Sequence, residues 1–492
     1  MFFSKVKKIN YISVLILLLG LCIFCYPVIL SKGAFLPGHL GDTRWANYTL
    51  EHSYMYLHQM PLHTSLFDMP FYFPNTNTLS FSDMLLGAML IYIPIREIIS
   101  NSQNALIVWF VITCIFNYYA MYFLLKKVFK FNELPASVGA LLFAFSSPRQ
   151  NQIIHLQFQT LFYSILSLIS FLSINYNKGK LYNNICFFLG SIFFVIQLYS
   201  SFYSGWYMVY GFTIYIFIVF FSKEYRKSVI DFIKNYKLEI VLYSIITFIL
   251  LIPLVKHYLA IGSQFLIDTN NTISLYGLIS SNSVIDNLIF RYNPFFKDIN
   301  NINFENICGV GFVATILILI GLFYKNQYKK YILTFMFISL IFFVNSHLYK
   351  LLYYYFPGAT AIRATPRIIF LLLPIYSYLI ANFFQKVKLN KSIITCLIFL
   401  LLIDFIYSNP FYFWTKEEHI DNLKEYIIPN NCNIVYFKYN EKNSKYYIAD
   451  YQLGVMWKSL QKGVYSINGY SGYEPALIYS AAANNCIVKD KI

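Results

Sequence analysis

Charged residues are scarce: they make up 12% of the 492 residues, while 58% are hydrophobic and 20% are aromatic. An ordinary soluble chain carries about 25% charged residues. A soluble domain of this size could not hide so much apolar surface, which excludes a water-soluble globular fold. Cysteine is sparse too, and its eight copies show no CxxC or other metal-ligand spacing. No histidine pair has HxxxH or HExxH spacing, so no dedicated metal site is written in the sequence. Internal repeats are lacking, which counts against the inverted-repeat transporter architectures. Few charges fall inside apolar runs; Asp404, close to the end of one, is an exception.

What is abundant is apolar sequence in runs of roughly 17 to 22 residues, long enough as helices to cross a hydrocarbon core of about 30 Å. They fall near 10–30, 105–125, 134–147, 157–176, 183–203, 206–222, 240–257, 309–324, 331–348, 366–384 and 392–408. The expected fold is an all-α polytopic membrane protein with about eleven transmembrane helices. The run at 134–147 is short for a crossing and reads as tilted or broken. The segment near 83–99 is apolar but carries Pro94, Arg96 and Glu97, and is placed as an interfacial or re-entrant helix.

The net charge of +16 would suit nucleic acid if it lay in one stripe. Instead it is divided among short clusters between apolar runs: Lys5, Lys7 and Lys8; Lys126, Lys127 and Lys130; Lys178 and Lys180; Lys223, Arg226, Lys227, Lys234 and Lys237; Lys325, Lys329 and Lys330; Lys386, Lys388 and Lys391. Loops that stay in the cytoplasm carry such an excess, so membrane lipids, and no nucleic acid, are the expected partners. The chain is assigned to the cell (inner) membrane with a cytoplasmic N-terminus. The first run follows a basic segment but is long and lacks a small-x-small cleavage site, so it reads as an uncleaved helix. An odd number of spans puts the C-terminus on the extracytoplasmic side.

Residues 1–408 then form a multi-pass domain with long outer loops at about 31–104 and 258–308, and 409–492 form an extracytoplasmic C-terminal domain. Alternation at 433–439 followed by a Gly- and Tyr-rich run predicts a small α/β unit there. Cys432 and Cys486 lie in this tail, where a disulfide is one option. Cys22, Cys25, Cys114, Cys186 and Cys396 fall in apolar runs and read as small hydrophobes.

The candidate functional groups gather on the outer side. Asp42 and Arg44 follow the first span closely, with Glu51 and His52 on what reads as the next helix. Two roles stand open for Asp42: a general base toward an acceptor hydroxyl, or the N-cap of a helix beginning near Thr43. His155 and Gln157 occupy a short polar turn between spans, where such groups face a cavity or bond to another helix. Arg363 and Arg367 sit where an outer loop enters a span, with Pro366 at a plausible first helical position. Guanidinium groups beside a helix N-terminus suit a phosphate; snorkelling to headgroups is the plainer alternative. Aromatic residues in Phe71-Tyr72-Phe73-Pro74 and Tyr470-Ser471-Gly472-Tyr473 suit stacking on sugar rings or simple packing.

The chain resembles the bacterial membrane glycosyltransferases of the GT-C class, in particular the YfhO-like multi-pass group. The resemblance is carried by Gly41-Asp42-Thr43-Arg44 with Leu50-Glu51-His52, Phe71-Tyr72-Phe73-Pro74, Phe81-Ser82-Asp83, His155-Leu156-Gln157, Ile362 to Arg367, Met456-Trp457-Lys458-Ser459 and Asn468 to Gly472. It implies transfer of a sugar from a polyprenyl-phosphate donor to a glycan, lipid or protein acceptor. Asp42 would be the catalytic base, Arg363 and Arg367 would stabilise the departing phosphate, and Arg44, Glu51, His52, His155 and Gln157 would bind substrate. No cofactor is assigned; an acidic motif of the metal-dependent oligosaccharyltransferases is not evident, so a divalent metal requirement has no support. Two other classes stay open, a transporter or flippase of a lipid-linked glycan and a non-catalytic cell-envelope assembly protein.

Overall fold

The computed structural model describes residues 11–175, 177–262, 272–281, 283–286, 289, 307–324, 326, 328–406, 413–438 and 447–475, and the backbone of 486–489. Helix dominates among them and strands are few. Every apolar run named above contains a helix: Tyr11–Phe24, Ser102–Phe123, Glu133–Phe145, Phe162–Leu172, Lys180–Ser200, Phe202–Phe221, Lys223–Gly262, Phe312–Phe323, Lys329–Val344, Ile369–Lys386 and Lys391–Asp404.

Their lengths correct the expected count. Among the described residues only five helices are long and apolar enough to cross a membrane: Ser102–Val128, Lys180–Ser200, Phe202–Phe221, Tyr225–Ile261 and Thr365–Lys386. A sixth arises only if Lys329–Val344 and Ser346–Tyr355, bent by 95° at their break, count as one span. About eleven crossings are therefore not met. The reason lies in the breakers. Glu133–Phe145 has 13 residues, about 20 Å of helix against a core of about 30 Å. It ends at Ser146, where Pro148 starts a separate short turn. Tyr11–Phe24 likewise gives way at Cys25 to a turn with Pro27 near its start.

Small residues let these helices approach closely, as in membrane bundles generally. A Cβ at Gly139 would lie 2.6 Å from the Ser377 carbonyl oxygen, and one at Gly321 would lie 2.2 Å from that of Leu379. Both glycines thus seat the Ile369–Lys386 helix, and Asn382 Nδ2 donates to the Gly321 carbonyl at 2.9 Å. Asp404, the charge inside an apolar run, serves as a helix cap. Its carboxylate accepts from Phe312 N at 3.1 Å, Ala314 N at 3.0 Å and Ser283 Oγ at 3.3 Å, which satisfies the first N–H groups of Phe312–Phe323.

Polar contacts join the basic loops to one another. Asn132 N donates to Gln385 Oε1 at 2.9 Å, Ser222 and Tyr331 share a hydrogen bond of 3.2 Å, and Asn183 Nδ2 donates to the Tyr236 hydroxyl at 2.9 Å. A second set joins the segments read as outer: Asn77 with His257, Asp83 with Phe202, Asn151 with Ile307 and Arg363 with Tyr203. The bundle therefore has a basic end and an opposite end.

The described residues after 412 fasten onto that opposite end. Strand β1 (Phe35–Pro37) pairs antiparallel with β2 (Phe413–Thr415), Leu36 facing Trp414. Beyond it, β3 (Ile434–Lys438) lies between β4 (Tyr465–Ser466) and β5 (Cys486–Lys489), both parallel to it. Helices Lys416–Lys424 and Ile448–Lys462 accompany the sheet, the first held by a capping box between Thr415 and Glu418. Tyr426, Val435, Phe437, Tyr451 and Val455 form a small core of their own. Cys432 is disulfide-bonded. Leu453, Met456 and Trp457 instead join the main core, so the tail is packed on the bundle.

Candidate functional site

The site begins at the Asp42–Leu57 helix. The sequence left Asp42 a choice between capping this helix and facing substrate. Its N-cap is Gly41, with no side-chain cap, and Asp42 is the first helical residue. The freed carboxylate turns to two partners distant in sequence: Oδ2 lies 2.9 Å from His155 Nδ1, and Oδ1 accepts from the Tyr470 hydroxyl. Its side chain keeps 27% exposure.

His155 continues the chain. Its Nε2 is 3.1 Å from Arg367 Nη2, and because a guanidinium only donates, Nε2 must present its lone pair. The imidazole proton then sits on Nδ1 and points at Asp42. Arg367 fixes the tautomer, and the tautomer aims the donor at the carboxylate, the arrangement expected of an oriented catalytic histidine. Arg367 itself is nearly buried. Its guanidinium lies 4.8 Å from the ring centroids of both Phe158 and Tyr203, a cation–π seat that a point charge would fill poorly. Its Nε has no hydrogen-bond partner among the described residues, a buried donor free for an incoming oxygen.

The loop carrying His155 is held from beneath. Arg149, fully buried, donates Nη1 to the Phe158 carbonyl and Nη2 to that of Gln159 at 3.2 Å. Gln157 lies in the following 3-10 turn, Leu156–Thr160, where its carbonyl accepts from Thr160 Oγ1 at 3.2 Å. Arg363 is exposed and reaches across to the tail, donating Nη1 to the Gly472 carbonyl at 2.8 Å while its backbone N donates to the Tyr203 hydroxyl at 2.8 Å. A Cβ on Gly472 would meet Arg363 Nη2 at 2.8 Å and the Phe81 carbonyl at 2.9 Å, so only glycine lets this strand of the tail cross there.

Electrostatics separates the two acids of the site. Burial alone would raise the Asp42 carboxyl, but the hydrogen bonds from His155 and the Tyr470 hydroxyl outweigh it and hold the pKa well below the usual carboxylate range. Asp83 goes the other way. It is buried, and desolvation pushes it up to about 6 against the Phe202 N–H at 2.7 Å and the positive fields of Arg367 and Arg363. A raised acid binds its proton more tightly in the folded state, so its contribution to stability is full below about pH 4 and lost as pH rises toward 6. Asp83→Asn should therefore raise the melting temperature above pH 6, by an amount corresponding to about 3 kcal/mol, and flatten its pH dependence between 4 and 6.

Sequence reading grouped Asp42, His155, Gln157, Arg363 and Arg367, of which Asp42, His155 and Arg367 form one linked chain, Arg363 joins it through its backbone bond to Tyr203, and Gln157 lies in the adjoining turn. It placed Arg44, Glu51 and His52 with them, and the structure does not. Residues two apart on a helix point about 200° apart, and residues nine apart point about 180° apart and lie about 13 Å along the axis. Arg44 leaves the far side of Asp42 and is buried under the tail, where Nη1 reaches the Asp450 carbonyl at 3.5 Å and Trp457 Nε1 donates to the Arg44 carbonyl at 3.2 Å. Glu51 instead pairs with Arg96, at 2.8 Å to Nε and 3.2 Å to Nη2, and accepts from Tyr92. His52 shares a hydrogen bond of 2.7 Å with His63 and contacts the Leu66 carbonyl at 3.0 Å. Burial pulls the two imidazoles down to about 4 and about 3, so both stay neutral.

These are structural pairs. Arg96→Ala leaves the Glu51 carboxylate buried without its guanidinium, which is expected to destabilise the protein by about 3 kcal/mol. A melting temperature lowered by an amount corresponding to that loss is the result to look for.

Asp83, Tyr203, Phe158 and Tyr470 were not on the list of candidates. Asp83 and Tyr470 do lie in the Phe81-Ser82-Asp83 and Asn468 to Gly472 stretches quoted above. The Phe71 to Pro74 aromatics pack between loop and tail: Phe73 N donates to the Ser466 carbonyl at 2.9 Å and its ring lies 4.7 Å from Tyr465. Among the described residues no group of three or more His, Cys, Asp or Glu is placed to hold a metal ion. No family model matches the sequence, and no curated protein is significantly similar to it.

Proposed function

We propose that the protein is a membrane glycosyltransferase that moves a sugar from a polyprenyl-phosphate carrier to a glycan, lipid or protein acceptor on the outer face of the cell (inner) membrane. The observation that supports it is the chain Tyr470, Asp42, His155, Arg367, which links an ionised carboxylate to a buried guanidinium through one oriented imidazole. The basic loops define the cytoplasmic end by the positive-inside tendency, which leaves this site, the tail and the C-terminus outside.

The acceptor hydroxyl takes the place of the Tyr470 hydroxyl as donor to Asp42 Oδ1. Its oxygen bonds to the anomeric carbon from the face opposite the phosphate, the carbon–oxygen bond to phosphate breaks with its electron pair going to the phosphate, and the hydroxyl proton passes to Asp42. Configuration inverts. A carboxylate held well below its usual range is a weak base toward a free alcohol. It suffices here because the hydroxyl becomes strongly acidic once its oxygen has begun to bond to an electron-poor carbon, so proton transfer comes late. Arg367, with its unpartnered Nε, and Arg363 receive the negative charge growing on the leaving phosphate.

A transporter of lipid-linked glycan would place charges within membrane-length helices. The buried charges Arg149, Arg367 and Asp404 lie instead at helix ends or in turns. Membranes containing the wild-type protein should transfer radiolabel from a polyprenyl-phosphate sugar to an acceptor, and membranes lacking it should not. Equal labelling in both, with glycan still crossing the bilayer only when the protein is present, would sink the transferase reading in favour of transport.

A further inference from the structure

Far from the site, at the basic end of the bundle, a cleft of about 470 Å³ opens between the turn before the Lys180–Ser200 helix and a break in the Lys223–Gly262 helix. Four lysines line it, Lys178 and Lys180 on one wall and Lys234 and Lys237 on the other, against a single acid, Glu239. The walls are fixed. Tyr236 departs from helical geometry at φ −120° and ψ 21°, and this break sits between Lys234 and Lys237. Asn183, almost fully buried, donates to the Tyr236 hydroxyl at 2.9 Å and to the Asn175 carbonyl at 3.0 Å, and accepts from Asn175 N at 3.0 Å. The Lys180–Ser200 helix starts at the cleft behind Gly179, which offers no side-chain cap, so its first N–H groups and the positive end of its dipole address the same space.

Four ammonium groups, one carboxylate and a helix N-terminus make a site for a phosphate ester. The surface below it says which kind. From Leu238 the helix presents Leu238, Val241, Leu242, Ile245 and Phe248 outward, 71%, 57%, 52%, 52% and 71% exposed. That is the three-and-four spacing of one helical face. It starts at the cleft and leads away from it, as acyl chains do from a headgroup. We propose that this cleft binds an anionic glycerophospholipid, its phosphate among Lys178, Lys180, Lys234 and Lys237 and its chains along the Leu238 to Phe248 face. The proposal stands independently of sugar transfer.

The test uses the full chain in a neutral non-ionic detergent, with bound lipid counted by native mass spectrometry during titration with phosphatidylglycerol or phosphatidylcholine. Wild type should prefer phosphatidylglycerol by about tenfold or more. The double variant Lys234→Gln with Lys237→Gln should lose most of that preference, and so should Lys178→Gln with Lys180→Gln, which reports on the opposite wall if the first variant fails to fold. Lys329→Gln with Lys330→Gln, in a different basic loop, should keep it. Inorganic phosphate at millimolar concentration should not displace the lipid. An unchanged preference in a folded cleft variant, or an equal loss in the Lys329 and Lys330 control, overturns the proposal. Full displacement by inorganic phosphate would reassign the cleft to a soluble phosphate compound.

Discussion

Replacing Asp42 by Asn is expected to lower the proposed sugar transfer by about 10²- to 10⁴-fold, the range over which a positioned base acts. Asn keeps the size of the side chain and one oxygen, so Tyr470 still finds an acceptor. What is lost is the site for the proton. The amide also presents an NH₂ where His155 Nδ1–H expects a carboxylate, which disfavours the tautomer that Arg367 imposes. The loss should therefore fall on kcat, with KM for the lipid-linked sugar little changed, since the proposed reaction places the donor phosphate at the other end of the chain. Stability offers an independent check. Asp42 is depressed in the folded state, so its stabilisation is present above about pH 4 and lost as pH falls further. Asp42→Asn should remove that acid-side loss, and a melting curve recorded against pH reads it directly.

Arg367→Lys is the second large effect, an expected fall of about 10²- to 10³-fold in kcat/KM, comparable to removing one preorganised donor from an oxyanion site. Charge is conserved in this change and geometry is not. The guanidinium lies 4.8 Å from the ring centroids of Phe158 and Tyr203 while one nitrogen reaches His155. An ammonium has neither the plane for the rings nor the fork to bond His155 and a phosphate oxygen together. Both halves of the site should suffer, phosphate stabilisation directly and the orientation of His155 indirectly. Arg363→Lys should be milder, because Arg363 is exposed and its contact in this structure is with the Gly472 carbonyl.

How much of this was legible depended on the range of the contact. Apolar runs predict helices because the pattern is local, and a helix stands at each of them. Their lengths were less legible, because Ser146 with Pro148, and Cys25 with Pro27, end helices inside runs that hydropathy alone reads as continuous. Charge composition in the loops likewise separates a basic end from the end that carries Asp42, since each loop states its own charge. The site itself spans Asp42, Asp83, His155, Arg367 and Tyr470. Asp42, His155 and Arg367 stood out as polar groups at the same side of successive runs, whereas Asp83 and Tyr470 did not, and nothing local in the sequence says that Tyr470 of the tail reaches Asp42. Helical phase explains the misplaced members. Nearness in sequence grouped Arg44, Glu51 and His52 with Asp42, whereas a period of 3.6 residues turns Arg44 toward Asp450 of the tail and Glu51 toward Arg96. The capping reading of Asp42 failed for a related reason, since Gly41 holds the cap position and releases the carboxylate.

The most direct test of the linked Asp42, His155 and Arg367 chain is a double-mutant cycle in single-turnover transfer, with Asp42→Asn, Arg367→Lys and the two combined. The part of the Arg367 effect that passes through His155 is already lost in Asp42→Asn, so the double variant should fall less than the product of the two single losses. Losses that multiply would show two independent contributions and contradict the coupling through His155, and an Asp42→Asn rate equal to wild type would remove Asp42 from the chemistry altogether.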